Sequence, residues 1–247
     1  MRIFRLSSLR KPGLFHATFP KECGWASFEN STLTLSRRLE KTMVMVSGIS
    51  SDNFVSCEQV HGETISVLKN HESLPPKNVF YNSDGIVTDK KGVLIIVRHA
   101  DCVPIFLYDP HNLVVGLIHS GWRGTAQSIG VKALKRMMVE FGTNPKDVFV
   151  GLGPSAHNCC YTIESGWPHE VLISLPQWRK FLRRNTKGWQ VDLVGYIKQE
   201  FIEFGVRQKS IETAGICTIC DLNYYSWTRQ RQHKETKGMG VSVIALL

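Results

Sequence analysis

Histidines are few: the 247-residue chain has nine, and no two of them form a His-x-His pair. A four-copper oxidase needs more imidazole ligands than that, most of them in such pairs, so this chemistry is excluded on ligand count. No HExxH motif occurs, and zinc-finger and RNP patterns are missing as well. The greasiest region is broken by Arg98, His99, Asp101 and Asp109, far short of the ~18 uninterrupted apolar residues of a membrane helix. The opening Met1-Arg-Ile-Phe-Arg-Leu-Ser has no continuous apolar stretch, which argues against a secretory signal. With no internal repeat, low-complexity tract or Pro/Gly/Ser linker, residues 1–247 are expected to form a single domain. Acidic residues are also few: 21 Asp+Glu face 30 Lys+Arg, for a net charge of +9 and a pI near 9.3.

What is present is an ordinary globular composition, 43% hydrophobic and 21% charged. A chain of this length buries roughly 70–75% of its unfolded surface and needs no disulfide scaffold. Its seven cysteines (Cys23, Cys57, Cys102, Cys159, Cys160, Cys217, Cys220) are an odd count that matches no secreted framework. They are therefore expected as reduced thiols or metal thiolates of a soluble cytoplasmic protein. The basic clusters Arg179–Lys187 and Arg229–Lys237 do not interleave aromatics as nucleic-acid motifs do. They read as solvated faces, and neither nucleic acid nor a membrane is the expected partner.

Short β-branched runs at Val93–Arg98, Val103–Tyr108 and Leu113–His119 predict strands, with a turn at Asp109–Asn112. So short a connection makes the last two antiparallel neighbours, because a parallel return needs a dozen or more residues. Ile129, Ala133, Leu134, Met137, Met138 and Phe141 share a helical face that Gly142 ends. A second helix runs from an Asp192 cap through Val194, Ile197, Phe201 and Phe204 to Gly205, and Val241–Leu246 closes as a strand. The expected fold is a single-domain α/β (α+β) sandwich with a mixed, largely antiparallel sheet.

Three stretches carry chemistry: Glu58-Gln59-Val60-His61-Gly62, His99-Ala100-Asp101-Cys102-Val103-Pro104 and His119-Ser120-Gly121-Trp122-Arg123-Gly124. The hairpin that leaves Cys102 returns at His119, so the two side chains can converge from neighbouring strand ends, and His61 must arrive from another strand. One Cys and two His suit Zn²⁺ with a fourth position open to water or substrate. The plain alternative is a buried Cys packed as a small hydrophobe and two hydrogen-bonded structural histidines. The pair Cys217-x-x-Cys220 follows Ala214-Gly215-Ile216 rather than the Pro of the deaminase signature. Cys159 and Cys160 are adjacent rather than a second CxxC, so all four are expected to be structural thiols. A vicinal bridge is disfavoured by the ~3.8 Å between neighbouring Cα atoms.

At Gln59-Val-His-Gly62, Asp84-Gly85, Ala100-Asp-Cys-Val-Pro104, His119-Ser-Gly-Trp-Arg-Gly124, Cys159-Cys-Tyr161 and the ending Cys217-Thr-Ile-Cys220…Ser226-Trp-Thr-Arg229…Gly238-Met-Gly, the chain resembles the laccase-domain (YfiH-like) family. That family has been labelled multicopper polyphenol oxidase, purine nucleoside phosphorylase and peptidoglycan editing factor. The resemblance implies a single α/β sandwich and assigns His61, Cys102 and His119 as catalytic metal ligands, with zinc expected and copper the other candidate. Gln59 and Asp101 are expected to support those ligands. Arg123 and Arg229 are expected to bind substrate, since a planar guanidinium matches phosphate bidentately. The chain departs from the family at Pro20–Trp25, at His99, at Ala156-His157-Asn158 and in the reduction of paired arginines to Arg229.

The implied activity is phosphorolysis of adenosine, inosine or methylthioadenosine to base and ribose 1-phosphate, with adenosine deamination beside it. Two alternatives stay open: a cysteine hydrolase or amidase with Cys102 as nucleophile and His119 as base, acting as a peptidoglycan editing factor, and a non-catalytic metal-binding protein.

Overall fold

The computed structural model describes residues 3–163, 176–186, 188–233, 235 and 237–247. Lys187 and Lys234 of the two basic clusters lie outside the described residues. The strands in chain order are β1 (Leu14–Thr18), β2 (Ala26–Glu29), β3 (Thr32–Leu35), β4 (Phe54–Cys57), β5 (Ile65–Leu68), β6 (Val79–Phe80), β7 (Gly85–Thr88) and β8 (Leu94–His99). They continue with β9 (Val103–Asp109), β10 (Val114–Ser120), β11 (Phe149–Leu152), β12 (Thr162–Ile163), β13 (Leu182–Asn185), β14 (Gly188–Val191), β15 (Ile211–Thr213) and β16 (Gly240–Leu246). The helices are α1 (Arg37–Ser47), α2 (Trp122–Ala126), α3 (Ile129–Phe141), α4 (Leu193–Glu203) and α5 (Trp227–His233).

Two sheets stack face to face, one in the order β1-β16-β8-β4-β6 and the other β15-β11-β9-β10-β7-β5. Among the described residues eight of twelve strand pairs are antiparallel, the β9–β10 pair with its short turn among them. Alternation along a strand assigns each residue to a layer. On β9, Phe106 and Tyr108 enter the core between the sheets with Val97, Val115, Leu117 and Ile244. Ile105 and Leu107 face the other way, onto Ile129, Ala133, Met137, Ile197 and Phe201 of α3 and α4. On the far side of the first sheet, Leu39 and Met43 of α1 cover Ile96, Val243 and Ala245. The result is an α/β/β/α sandwich in which β8, β9, β10 and β16 are buried along their whole length.

The helix boundaries follow the sequence. Gly142 ends α3 in the left-handed conformation with φ 70°, and Asp192 caps α4 by accepting from the Gly195 N–H at 2.9 Å. Met138, placed on the apolar face by spacing, is instead 37% exposed, because the contact stripe runs through Ala133, Leu134 and Met137. Gly130 lets α3 and α4 touch: a Cβ there would lie 2.9 Å from the Phe201 ring.

One acid is caught in this helix contact. Ser128, just before α3, hydrogen-bonds Glu200 of α4, and burial pushes the Glu200 carboxyl up to about 7 against the opposing bonds from Ser128 and Tyr196. Between the ordinary carboxylate range and pH 7 the folded chain therefore holds a proton that the unfolded chain has released, so this site loses stability as pH rises through that window. Glu200→Gln should flatten the slope and gain up to ~3 kcal/mol at pH 8 relative to the parent. Denaturant titrations at pH 5 and pH 8 check this, and an unchanged slope would contradict it.

Candidate active site

The β9–β10 register pairs His119 with Pro104 and Ser120 with Val103. Cys102, the residue before β9, is therefore brought level with the end of β10, as the hairpin predicts. His61 comes from the loop after β4 rather than from a strand. The ligating atoms of His61, Cys102 and His119 all lie within 4.8 Å of one another, and the two imidazoles meet edge to face with centroids 4.8 Å apart. His119 is buried, Cys102 half-buried and His61 exposed, so the cluster opens to solvent on the His61 side.

Asp84, in the loop before β7, organises this set. One carboxylate oxygen accepts from His119 Nδ1 and from the His61 backbone N–H, both at 2.9 Å, and the other from the Gly62 N–H at 2.7 Å. Burial alone would raise the Asp84 pKa, but the bonds from His119 and Gly62 bring it below the usual carboxylate range. With Nδ1 committed, His119 presents Nε2 to Cys102. The Cys102 thiol would be pushed up by burial, yet the His119 charge and hydrogen bonds from both histidines bring it well down. His119 moves the opposite way, its burial outweighed by Cys102 and Asp84. Each group thus favours the charged form of the other.

The donor set fits a metal. Thiolate and imidazole are zinc's preferred donors, and Gly121 leaves the approach open: a Cβ there would stand 3.1 Å from both the Cys102 sulfur and the His61 ring. Three non-glycine residues beside the cluster have positive φ, Gln59 at 64°, His61 at 60° and Asp101 at 90°. Such conformations persist only where surroundings impose them. Gln59 is pinned by two hydrogen bonds to the Arg98 backbone, at 2.7 and 2.9 Å. Asp101 accepts from the Thr218 and Ser226 hydroxyls and the Thr228 N–H. Both lie in the loops that carry His61 and Cys102.

His61 and Cys102 of the cluster line a cavity of about 630 Å³, whose walls include Trp122, Arg123, Tyr161, Trp227 and Arg231. The Arg123 guanidinium stacks over the Trp122 ring at 4.3 Å, lines the cavity and is exposed. Arg229 does not reach this space, which corrects the expectation that it binds substrate. It is 5% exposed and donates to the carbonyls of Thr218, Ile219 and Tyr224 and to Glu235. The second basic group lining the cavity is Arg231, one short step along α5, which is inconspicuous within a surface charge cluster. Asp84 and Tyr161 stood inside quoted motifs, but no spacing rule marks a carboxylate 35 residues from the histidine it orients. The departing positions Pro20–Trp25, His99 and Ala156–Asn158 are not among the cavity-lining residues.

Residues 33–247 match the family model described as multi-copper polyphenol oxidoreductase laccase. The chain belongs to this family. Within it, a Bacillus subtilis protein named purine nucleoside phosphorylase YlmD is 31% identical over 159 residues, 64% of this chain and 57% of that protein. Its namesake from Geobacillus stearothermophilus is 32% identical over 187 residues, 73% of this chain and 68% of that protein. The crystal structure of YlmD from Geobacillus stearothermophilus superposes with a TM-score of 0.81 at 25% identity, over 98% of this chain and 94% of that one. The family description speaks of several coppers, whereas the described residues of this laccase-family chain contain two metal-capable clusters, His61/Cys102/His119 and a group of four cysteines.

Because Asp84 orients His119 and holds the loop that carries His61, Asp84→Asn should weaken the affinity of the cluster for a divalent metal, with Zn²⁺ as the probe, 10–100-fold while leaving the fold in place. Competition with a chromophoric chelator, beside a circular dichroism spectrum, measures this. Unaltered affinity would remove Asp84 from the account.

Proposed function

We propose that the chain, acting as one domain in the cytoplasm, is a purine nucleoside phosphorylase whose reaction takes place in the His61/Cys102/His119 cavity. The observation that carries the reading is a cavity lined by two members of the Cys-His₂ cluster, two exposed arginines and three aromatic side chains; the names of the relatives point the same way. His61, Cys102 and His119 would hold Zn²⁺, which supplies a Lewis acid with one open position. Trp122, Tyr161 and Trp227 offer faces on which a purine can stack. Arg123 and Arg231 hold phosphate, whose oxygen attacks C1′ as the bond from C1′ to the base nitrogen breaks and its electron pair leaves with the base. Tyr161 is kept neutral first by burial and then by the nearby Cys102 charge. It therefore retains a hydroxyl that can donate to the departing base. Asp84 keeps His119 in one tautomer throughout. Hydrolytic removal of the adenosine C6 amino group, taking up water and releasing ammonia, is the second reaction proposed here.

One observation favours a different chemistry. Cys102, His119 and Asp84 stand in the order of nucleophile, base and orienting acid, the arrangement of a cysteine hydrolase. The two readings respond oppositely to chelation. On the purine reading, adenosine or inosine with phosphate yields free base and ribose 1-phosphate by mass, and activity is lost with a chelator and restored by Zn²⁺. Arg123→Ala should raise KM for phosphate more than KM for nucleoside, with kcat less affected, since it removes ground-state phosphate binding. Activity that instead rises on chelation, ends on alkylation of Cys102 and shows no phosphate-dependent base release would overturn this reading in favour of the hydrolase.

A further inference from the structure

The fold brings together four cysteines that sequence separates. Cys159 and Cys160 lie in the turn after β11, and Cys217 and Cys220 in the turn after β15, two strands that run parallel side by side. The four sulfurs fall within 4.8 Å of one another, with Cys159–Cys220 at 3.6 Å and Cys160–Cys220 at 3.0 Å. Sulfurs around a tetrahedral zinc at ~2.3 Å stand ~3.8 Å apart; the Cys159–Cys220 separation is close to this and the Cys160–Cys220 separation shorter, and both exceed the ~2.05 Å of a disulfide. The adjacency of Cys159 and Cys160, which argues against a ribbon built from two CxxC pairs, is overcome because their turn folds both sulfurs toward Cys220.

We propose that Cys159, Cys160, Cys217 and Cys220 bind a second, structural Zn²⁺ as four thiolates. The surroundings are built for it. The Cys217–Cys220 turn closes with the Asp221 N–H donating to the Cys217 carbonyl at 2.9 Å, and the backbone N–H groups of Ile219, Cys220 and His157 lie within hydrogen-bonding reach of the Cys217 sulfur. A zinc with four thiolates carries a net charge of −2, and cations stand around it. Lys180 and Arg183 line the same surface cavity as Cys159, and buried Arg229 donates to the carbonyls of Thr218 and Ile219 inside the turn. This gives Arg229 a purpose: it braces the ligand loop instead of meeting substrate.

The ion ties two loops that both support the first cavity. Thr218, between two of the ligands, donates to Asp101 at 2.8 Å, beside Cys102. Tyr161, which lines that cavity, follows Cys160 directly. With four protein ligands no position is left for substrate, so the ion acts as a clamp on the backbone.

The test uses the full chain carrying His61→Ala and Cys102→Ala, so that its outcome does not depend on what the first cluster holds. Purified anaerobically, this variant should retain one zinc per chain by elemental analysis. Zinc-edge X-ray absorption should show four sulfurs at ~2.3 Å, and a further Cys217→Ser/Cys220→Ser change should remove the ion. Because that last variant may not fold as the parent does, the unaltered protein gives a second readout. Cys159, Cys160, Cys217 and Cys220 should resist alkylation at least tenfold more when zinc-loaded than after chelation. Absence of zinc from the His61→Ala/Cys102→Ala chain would overturn the proposal. So would a disulfide among the four in anaerobic protein, or alkylation indifferent to chelation.

Discussion

The antiparallel register of β9 on β10 is the constraint from which the candidate active site follows. Seven residue pairs from Val114–Asp109 to Ser120–Val103 hold it, and both strands are buried on both faces. A slip of one residue would turn Phe106 and Leu117 out of the core between the sheets and rotate His119 away from Cys102, so the core and the ligand geometry are fixed together. The cluster therefore needs no local ligand motif. It is assembled by long-range pairing of strands whose hydrophobic alternation already determines their alignment.

Around that rigid hairpin the remaining parts sit on loops, which carry the conformational cost. Gln59, His61 and Asp101 all occupy left-handed backbone, and each is held by bonds from another element: Arg98 of β8, Asp84 ahead of β7, and Thr218, Ser226 and Thr228 of the C-terminal third. A well-packed sandwich can sustain such strain at its rim, where function is commonly concentrated. Asp101 links the two cysteine-bearing regions, since the residue it holds in Thr218 lies within the Cys217–Cys220 turn.

Much of this was legible in the sequence, for identifiable reasons. The strands of the central hairpin, the α3 face ending at Gly142 and the Asp192 cap are local signals, expressed in period and in capping residues. Cys102 and His119 were readable because one short turn joins their strands. Asp84 and Arg231 were not, since their roles depend on side-chain directions set by packing. Arg229 illustrates the limit best. As a basic residue in a charged stretch it looked available to an anion, but a guanidinium surrounded by the carbonyls of residues 218, 219 and 224 is already satisfied. The four-cysteine group was hidden for the complementary reason, because the parallel pairing of β11 with β15 is a contact between residues about sixty apart.

The central question is whether His61, Cys102 and His119 act as one metal centre or as a Cys102–His119 pair with a neighbouring histidine. Anomalous diffraction at the zinc edge, from crystals of the unaltered protein grown with Zn²⁺, tests this directly. A metal centre gives a peak ~2.0–2.3 Å from the Cys102 sulfur and from one nitrogen of each histidine, with His119 Nδ1 still on Asp84. No peak at that position, with His119 Nε2 hydrogen-bonded straight to the Cys102 sulfur, would contradict it.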